Sequence, residues 1–193
     1  NKPGGNGIIG ADIVAKAPSD GYTLLFNAST FTSAPMTMKQ VPYSVEKDFA
    51  PIVLTASTAY ALSVHPSVPA KSLKELIALA RTRPGELGYG TPGAGSTHHF
   101  VGEMLGIAAK VKFNHVPYTG GAPSVTAAAG GHVPIVIGNV SEIAPFTKMG
   151  KLRTLVVTTA ERAETLPEVP SYSEAGFPQL AIANWAGIVV PAA

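Results

Sequence analysis

The sequence predicts an α/β protein with a mostly parallel sheet and helices on both faces, and three observations carry that expectation. Short apolar runs of strand length alternate with helical patterns along almost the whole chain. Two capping boxes, Ser72-Leu73-Lys74-Glu75 and Ser171-Tyr172-Ser173-Glu174, place a hydroxyl and a carboxylate where helix starts leave amides without partners. Turn residues such as Pro84-Gly85, Gly150 and Gly176 then close the helical runs.

In chain order, Thr23–Phe26 reads as a strand and Pro51–Val64 as one long or bent extended stretch. The Ser72 box starts a helix that runs to about Arg83, and Leu87–Tyr89 is the next strand. Gly93-Ala94-Gly95-Ser96-Thr97 leads into a second helix ending near Ala108. Lys112–Val116 is a strand, Ala122–Ala129 a helix, and Val133–Ile137 an apolar strand buried on both faces. A helix from Ser141 stops at Gly150, Leu152–Thr158 is a strand, and the Ser171 box opens a last helix that Gly176 ends. Sheets of this kind bind ligands outside the carboxyl ends of their strands, so function is expected in the strand-to-helix loops.

Composition narrows the class. Only 13% of the 193 residues are charged and the formal net charge is +2, with no basic stripe, which argues against a nucleic-acid partner. Cysteine is absent, so thiolate catalysis, disulfides and cysteine-based zinc sites are excluded. The longest apolar runs are strand-sized. The chain opens at Asn1-Lys2-Pro3-Gly4-Gly5, within a turn, and closes at Pro191-Ala192-Ala193, directly after an apolar strand. Both ends are therefore expected to be trimmed, and the lack of a leader peptide carries no weight.

Five segments invite a chemical reading. Gly5-Asn6-Gly7-Ile8-Ile9-Gly10 has the spacing of a dinucleotide turn, which requires a preceding strand and an acidic residue at the end of the next one. The strand Thr23–Phe26 ends instead at Asn27, so a nucleotide-dependent enzyme using Gly5–Gly10 is only the alternative reading. Gly93-Ala94-Gly95-Ser96-Thr97-His98-His99 follows a strand and opens a helix, where free amides, hydroxyls and the positive dipole end make an anion site without formal charge. His98, a ring donor, becomes cationic below about pH 6.5 if unperturbed, so anion affinity is expected to rise toward acid pH. Val116-Pro117-Tyr118-Thr119-Gly120-Gly121 pairs two glycines with a tyrosine that can stack or donate. Asn27-Ala28-Ser29-Thr30 and Gly138-Asn139 are further polar strand ends. His99 and Glu103 share a helix face but lack a third metal ligand, and Ser96 lacks the elbow of a hydrolase nucleophile. No general base stands paired with a nucleophile, so reversible binding, without metal or cofactor, is the expected activity.

A set of motifs in fixed order carries a resemblance over the whole chain: Asn1-Lys2-Pro3-Gly4, Asp20-Gly21-Tyr22-Thr23-Leu24-Leu25, Lys47-Asp48-Phe49-Ala50-Pro51 and Pro69-Ala70-Lys71-Ser72-Leu73-Lys74-Glu75-Leu76. Gly95-Ser96-Thr97-His98-His99, His115-Val116-Pro117-Tyr118, Gly120-Gly121-Ala122-Pro123, Gly150-Lys151-Leu152-Arg153, Leu166-Pro167-Glu168-Val169-Pro170 and Glu174-Ala175-Gly176 follow. Together they resemble the extracytoplasmic solute receptors of the tripartite tricarboxylate transporters, the Bug-type receptors. The resemblance implies a periplasmic-binding-protein type II-like two-domain fold that closes like a hinge. Its second domain is complete here and its first partial: residues 1–58 belong to domain 1, 59–185 form domain 2, and 186–193 return to domain 1. It also implies that two loops hold the ligand's proximal carboxylate through amides and bridging waters. One corresponds to Gly95–His99 and the other lies upstream of Asn1, so the chain alone is expected to bind weakly.

Two positions depart from that pattern: His98 stands where the family often has Ser, and Gly138 where it often has an acid. The expected partners are a small carboxylate and an integral-membrane permease, the expected compartment is the periplasm, and the expected state is a monomer. The expected ligand-binding residues are Ser29, Thr30, Gly95, Ser96, Thr97, His98, Tyr118, Gly120, Gly121 and Asn139, with no catalytic residue.

Overall fold

A computed structural model describes residues 7–38 and 40–193. The motif Asn1-Lys2-Pro3-Gly4 and the first two residues of the Gly5–Gly10 turn lie outside the described residues. The elements are α1 (Ile8–Ala15), β1 (Leu25–Ala28), α2 (Thr30–Thr37), β2 (Phe49–Val64), α3 (Leu73–Thr82), β3 (Gly88–Thr91) and α4 (Thr97–Ala109). They continue with β4 (Asn114–Pro117), α5 (Gly121–Ala129), β5 (Ile135–Asn139), α6 (Val140–Lys148), β6 (Arg153–Val157) and β7 (Ala183–Pro191), a short 3-10 turn (Pro178–Leu180) preceding β7. Two compact units emerge: Asn1–Ser57, Gly95–Thr97 and Asn184–Ala193 form one, and Thr58–Ala94 with His98–Ala183 the other.

The second unit is a mixed sheet in the order β4-β3-β5-β2-β6. β3 runs parallel to β4 and β5, with Tyr89 opposite His115 and Ile135. β2 runs antiparallel to both β5 and β6, Leu62 facing Ile137 and Val156. The expectation of a mostly parallel sheet thus holds for strand direction except at β2, because α6 carries the chain from β5 to β6 past β2, which fills the slot between them.

Period-two alternation decides which side chain enters which core. Tyr60, Leu62 and Val64 of β2 join Leu76, Tyr89, Leu105, Ile135 and Ile137 on one face. Ala59 and Ala61 join Val125, Val136, Ile143, Val157 and Leu166 on the other. Ser63 is the polar exception in β2 and is fully buried. Its hydroxyl meets Thr154 Oγ1 at 2.9 Å, and Thr154 meets Thr147 Oγ1 at 2.6 Å, so a hydroxyl chain satisfies it next to the β-bulge at Leu62/Ser63.

The caps behave as local chemistry dictates. Ser72 Oγ accepts from the Glu75 amide at 3.2 Å, while Glu75 Oε2 accepts from the Lys71 amide at 2.7 Å, one residue outside the helix. The Ser171 box also closes, through Glu174 N to Ser171 Oγ at 3.2 Å and Ser171 N to Glu174 Oε2 at 2.9 Å. It opens one turn only, because Gly176 (φ 86°) takes the left-handed conformation five residues later. Helix α2, rich in Thr and carrying Pro35, gave no periodic signal in the sequence.

One glycine is required by packing. A Cβ on Gly102 of α4 would lie 2.3 Å from Cε2 of Tyr89, whose ring is buried in the core. Gly102→Ala is therefore expected to destabilise the protein by about 1–3 kcal/mol, despite alanine's better helix propensity, as overpacking does. Urea denaturation checks it, and an unchanged midpoint would contradict the packing argument.

In the first unit β1 pairs antiparallel with β7, Leu25 opposite Val189 and Ala28 opposite Ala186, and β7 borders β2. Phe31 stacks on Tyr43 at 5.4 Å and meets Phe49 edge-on at 4.9 Å, around Ala11, Val14 and Val189. Phe26 and Leu54 are each about two-thirds exposed, at 67% and 64%.

Candidate ligand-binding site

In the first unit the polar strand-end residues converge on Ser29. It stands at the N-terminus of α2, yet its side chain does not cap that helix. Ser29 Oγ donates to Asn184 Oδ1 at 2.8 Å and lies 3.2 Å from Thr97 Oγ1. A serine has one hydroxyl proton, so with Asn184 accepting it, Thr97 is the donor in the second bond. Thr97 is the first residue of α4, and Gly95, in the left-handed conformation at φ 75°, turns the chain into it. Ser96 and Thr97 are both 3% exposed; Thr30 is half-buried as the first residue of α2. The amino ends of two helices thus meet through a hydroxyl pair. Their dipoles and first-turn amides favour negative charge there, although no lysine or arginine takes part in these contacts.

In the second unit His98 is the second residue of α4. It is 8% exposed, packs edge-to-face on Tyr60 at 4.6 Å, and neither ring nitrogen meets a partner with hydrogen-bond geometry. Burial pushes its pKa down from 6.5 to about 4, against a weaker upward pull from the nearby Asn139 side chain. The expectation of a cationic His98 near pH 6.5 is therefore corrected: a desolvated ring stays neutral through the physiological range.

Asn139 begins α6, and its backbone and side-chain N–H groups both donate to Glu142 Oε2, at 3.4 and 3.0 Å. The same carboxylate lies against Gly121, where a Cβ would sit 2.3 Å from Glu142 Oε1. Glu142 thus draws together two loop ends that the sequence left separate, and it occupies the space beside Gly121. Gly120 precedes α5 with a positive φ of 155°. The Tyr118 ring packs over Gly90, and its amide donates to Thr91 O at 2.9 Å.

The other histidines have different partners. His99 and His115 stack face to face at 3.8 Å, and His115 Nε2 lies 2.7 Å from Thr91 Oγ1. Tyr89 donates to Glu103 Oε1 at 2.6 Å. Stacked rings cannot direct their lone pairs at one ion, and among the described residues no group of three or more His, Asp or Glu side chains could hold a metal. Sequence reasoning missed Asn184, Tyr60 and Glu142. A capping-box spacing from Asn139 to Glu142 was present for the last; nothing in the neighbouring sequence marks the first two.

The fold is that of periplasmic binding proteins. The chain superimposes on a Rhodopseudomonas palustris protein solved with adipate (Rpa4515) at a TM-score of 0.91, with 36% identity over 99% of this chain and 64% of that one. It matches MatC of Rhodopseudomonas palustris, solved with bound malate, at 0.88, with 28% identity over 97% of this chain and 64% of that one. Protein BugT of Bordetella pertussis is 32% identical over 99% of this chain and 59% of its own length. The model of the TctC family, the tripartite tricarboxylate transporter family receptors, matches residues 1–193, and the chain belongs to that family. It spans between half and two-thirds of the length of the curated relatives it matches, 57% and 56% in two further cases. The family and its structural neighbours are solute receptors, which sets aside both the nucleotide-dependent enzyme and the Ser96 hydrolase. No helix among the described residues is long and apolar enough to cross a membrane.

Proposed function

We propose that the protein is an extracytoplasmic receptor of the periplasm that reversibly binds a small organic mono- or dicarboxylate and delivers it to an integral-membrane permease of a tripartite transporter. The observation that carries this reading is the Ser29–Thr97 contact at 3.2 Å, which joins two helix N-termini through neutral hydroxyls. Such a site holds a carboxylate by hydrogen bonds and dipoles and releases it readily, because no buried counter-charge must be left unpaired on release. The adipate and malate seen in two structural neighbours are of the same chemical class. We further read residues 1–58 and 186–193 as part of a first domain and 59–185 as the second, acting as a monomer.

Calorimetry of the full-length protein against a panel of organic acids tests the proposal. Binding in the micromolar range, on the order of −8 kcal/mol, is expected for at least one acid, with the acid recovered unchanged. Heat with ATP or NAD but with no acid would overturn it.

A further inference from the structure

We propose that a groove at the opposite end of the second unit's sheet docks an acidic, extended segment of the membrane partner; this rests on the reading of the protein as a transport receptor. The groove measures about 670 Å³ and lies where β6 begins, between the start of α3 and the turn after α6. The candidate ligand residue Asn139 instead ends β5, which flanks β2 on the side away from β6 and runs in the same direction as β6, so the two features lie at opposite ends of the sheet.

Charge decides what the groove fits. Lys71, Lys74 and Arg153 line it, and Lys148 and Lys151 are exposed on the turn whose Thr147, Gly150 and Leu152 line it too. Among the described residues, none of these five cations has a carboxylate within ion-pair distance. Arg153 Nη1 instead donates to Ala70 O at 3.2 Å, which anchors its guanidinium at the rim. The carboxylates nearby are engaged within the chain. Glu174 accepts from Arg162 Nε at 3.0 and 2.9 Å, and Glu75 takes the Lys71 amide. Two carboxylates line the groove with the cations: Glu174, which is paired with Arg162, and Glu168, which opposes them.

The lysines are exposed, so one carboxylate would gain little from any of them in water. Several carboxylates spaced along one segment gain from all five together, and the field also steers their approach. That favours a protein segment over a free small acid as the occupant.

The test uses the full-length protein carrying Lys71→Glu, Lys74→Glu and Lys151→Glu, with Lys47→Glu, Lys110→Glu and Lys112→Glu as an equal charge change elsewhere. Association with the detergent-solubilised permease is measured by interferometry at 50 and 300 mM salt, and binding of the acid found in the panel by calorimetry. The groove variant is expected to weaken docking at least tenfold and to flatten its salt dependence, with acid affinity within twofold of the unsubstituted protein; the control variant should dock normally. Equal docking by the unsubstituted protein and the groove variant overturns the inference. So does a tenfold loss of acid affinity in the groove variant, which would assign the groove to the small ligand. If the unsubstituted protein binds no acid, the receptor reading itself falls, a result read separately from docking.

Discussion

Thr97→Val is expected to lower affinity for the bound carboxylate by about tenfold with little change in stability. The substitution keeps the shape at the first position of α4 and removes only the hydroxyl. That hydroxyl is the donor in the contact with Ser29, since the Ser29 proton is held by Asn184 at 2.8 Å. Redirecting it from a neutral hydroxyl to a carboxylate exchanges an ordinary hydrogen bond for a charge-assisted one. The gain is about 1–2 kcal/mol, near the 1.4 kcal/mol that equals a factor of ten. Ser29→Ala is expected to act in the same direction, because it removes the group that orients Thr97 against Asn184. Calorimetry on the three proteins with the acid identified in the panel checks this. A change below twofold for Thr97→Val would mean that the hydroxyl pair only ties α2 to α4.

His98→Phe is expected to abolish a large acid-side loss of stability. The folded-state pKa of His98 is depressed by burial to about 4, below its unfolded value of 6.5. Above 6.5 both states carry a neutral ring. Between 6.5 and 4 the unfolded chain takes up a proton that the folded protein refuses, so stability falls as the pH drops through that window. A shift of this size corresponds to about 3 kcal/mol by linkage. His115 is depressed to about 4 as well, by burial first and then by the proximity of His99, so the unsubstituted protein loses stability from both. The readout is accordingly the difference between the two proteins in urea unfolding free energy at pH 7, 5.5 and 4.5. Phenylalanine keeps a ring against Tyr60, and carboxylates titrating in both proteins cancel. Parallel curves would show that His98 is not held neutral by burial. Acid affinity is expected to stay flat from pH 8 to 5.5 in both proteins, contrary to what an exposed histidine would give.

Elements governed by contacts within a few residues were legible in the sequence. The Ser72 box, the apolar run at Val133–Ile137 and the glycine turn into α4 all appear where local chemistry places them, with strand limits displaced by about two residues. The family, too, is written in short motifs, since each records a turn or a cap that the fold cannot omit. Legibility ended where the deciding partner is distant in sequence. Ser29 is 68 residues from Thr97 and 155 from Asn184, so no spacing rule could join the three. The single turn after Ser171 was misread because the box forms as expected while the glycine stop leaves no room for a helix.

The sequence by itself therefore determined the α/β class, the order of elements and the uncharged, hydroxyl-rich character of the strand ends. Only the tertiary structure decided that β2 runs against its neighbours, that Glu142 takes the space beside Gly121, and that His98 is sealed against Tyr60. Solvent exclusion is the physical reason. Burial is a property of what surrounds a residue from every side, and it turns a ring that titrates near 6.5 in water into one that stays neutral down to about 4.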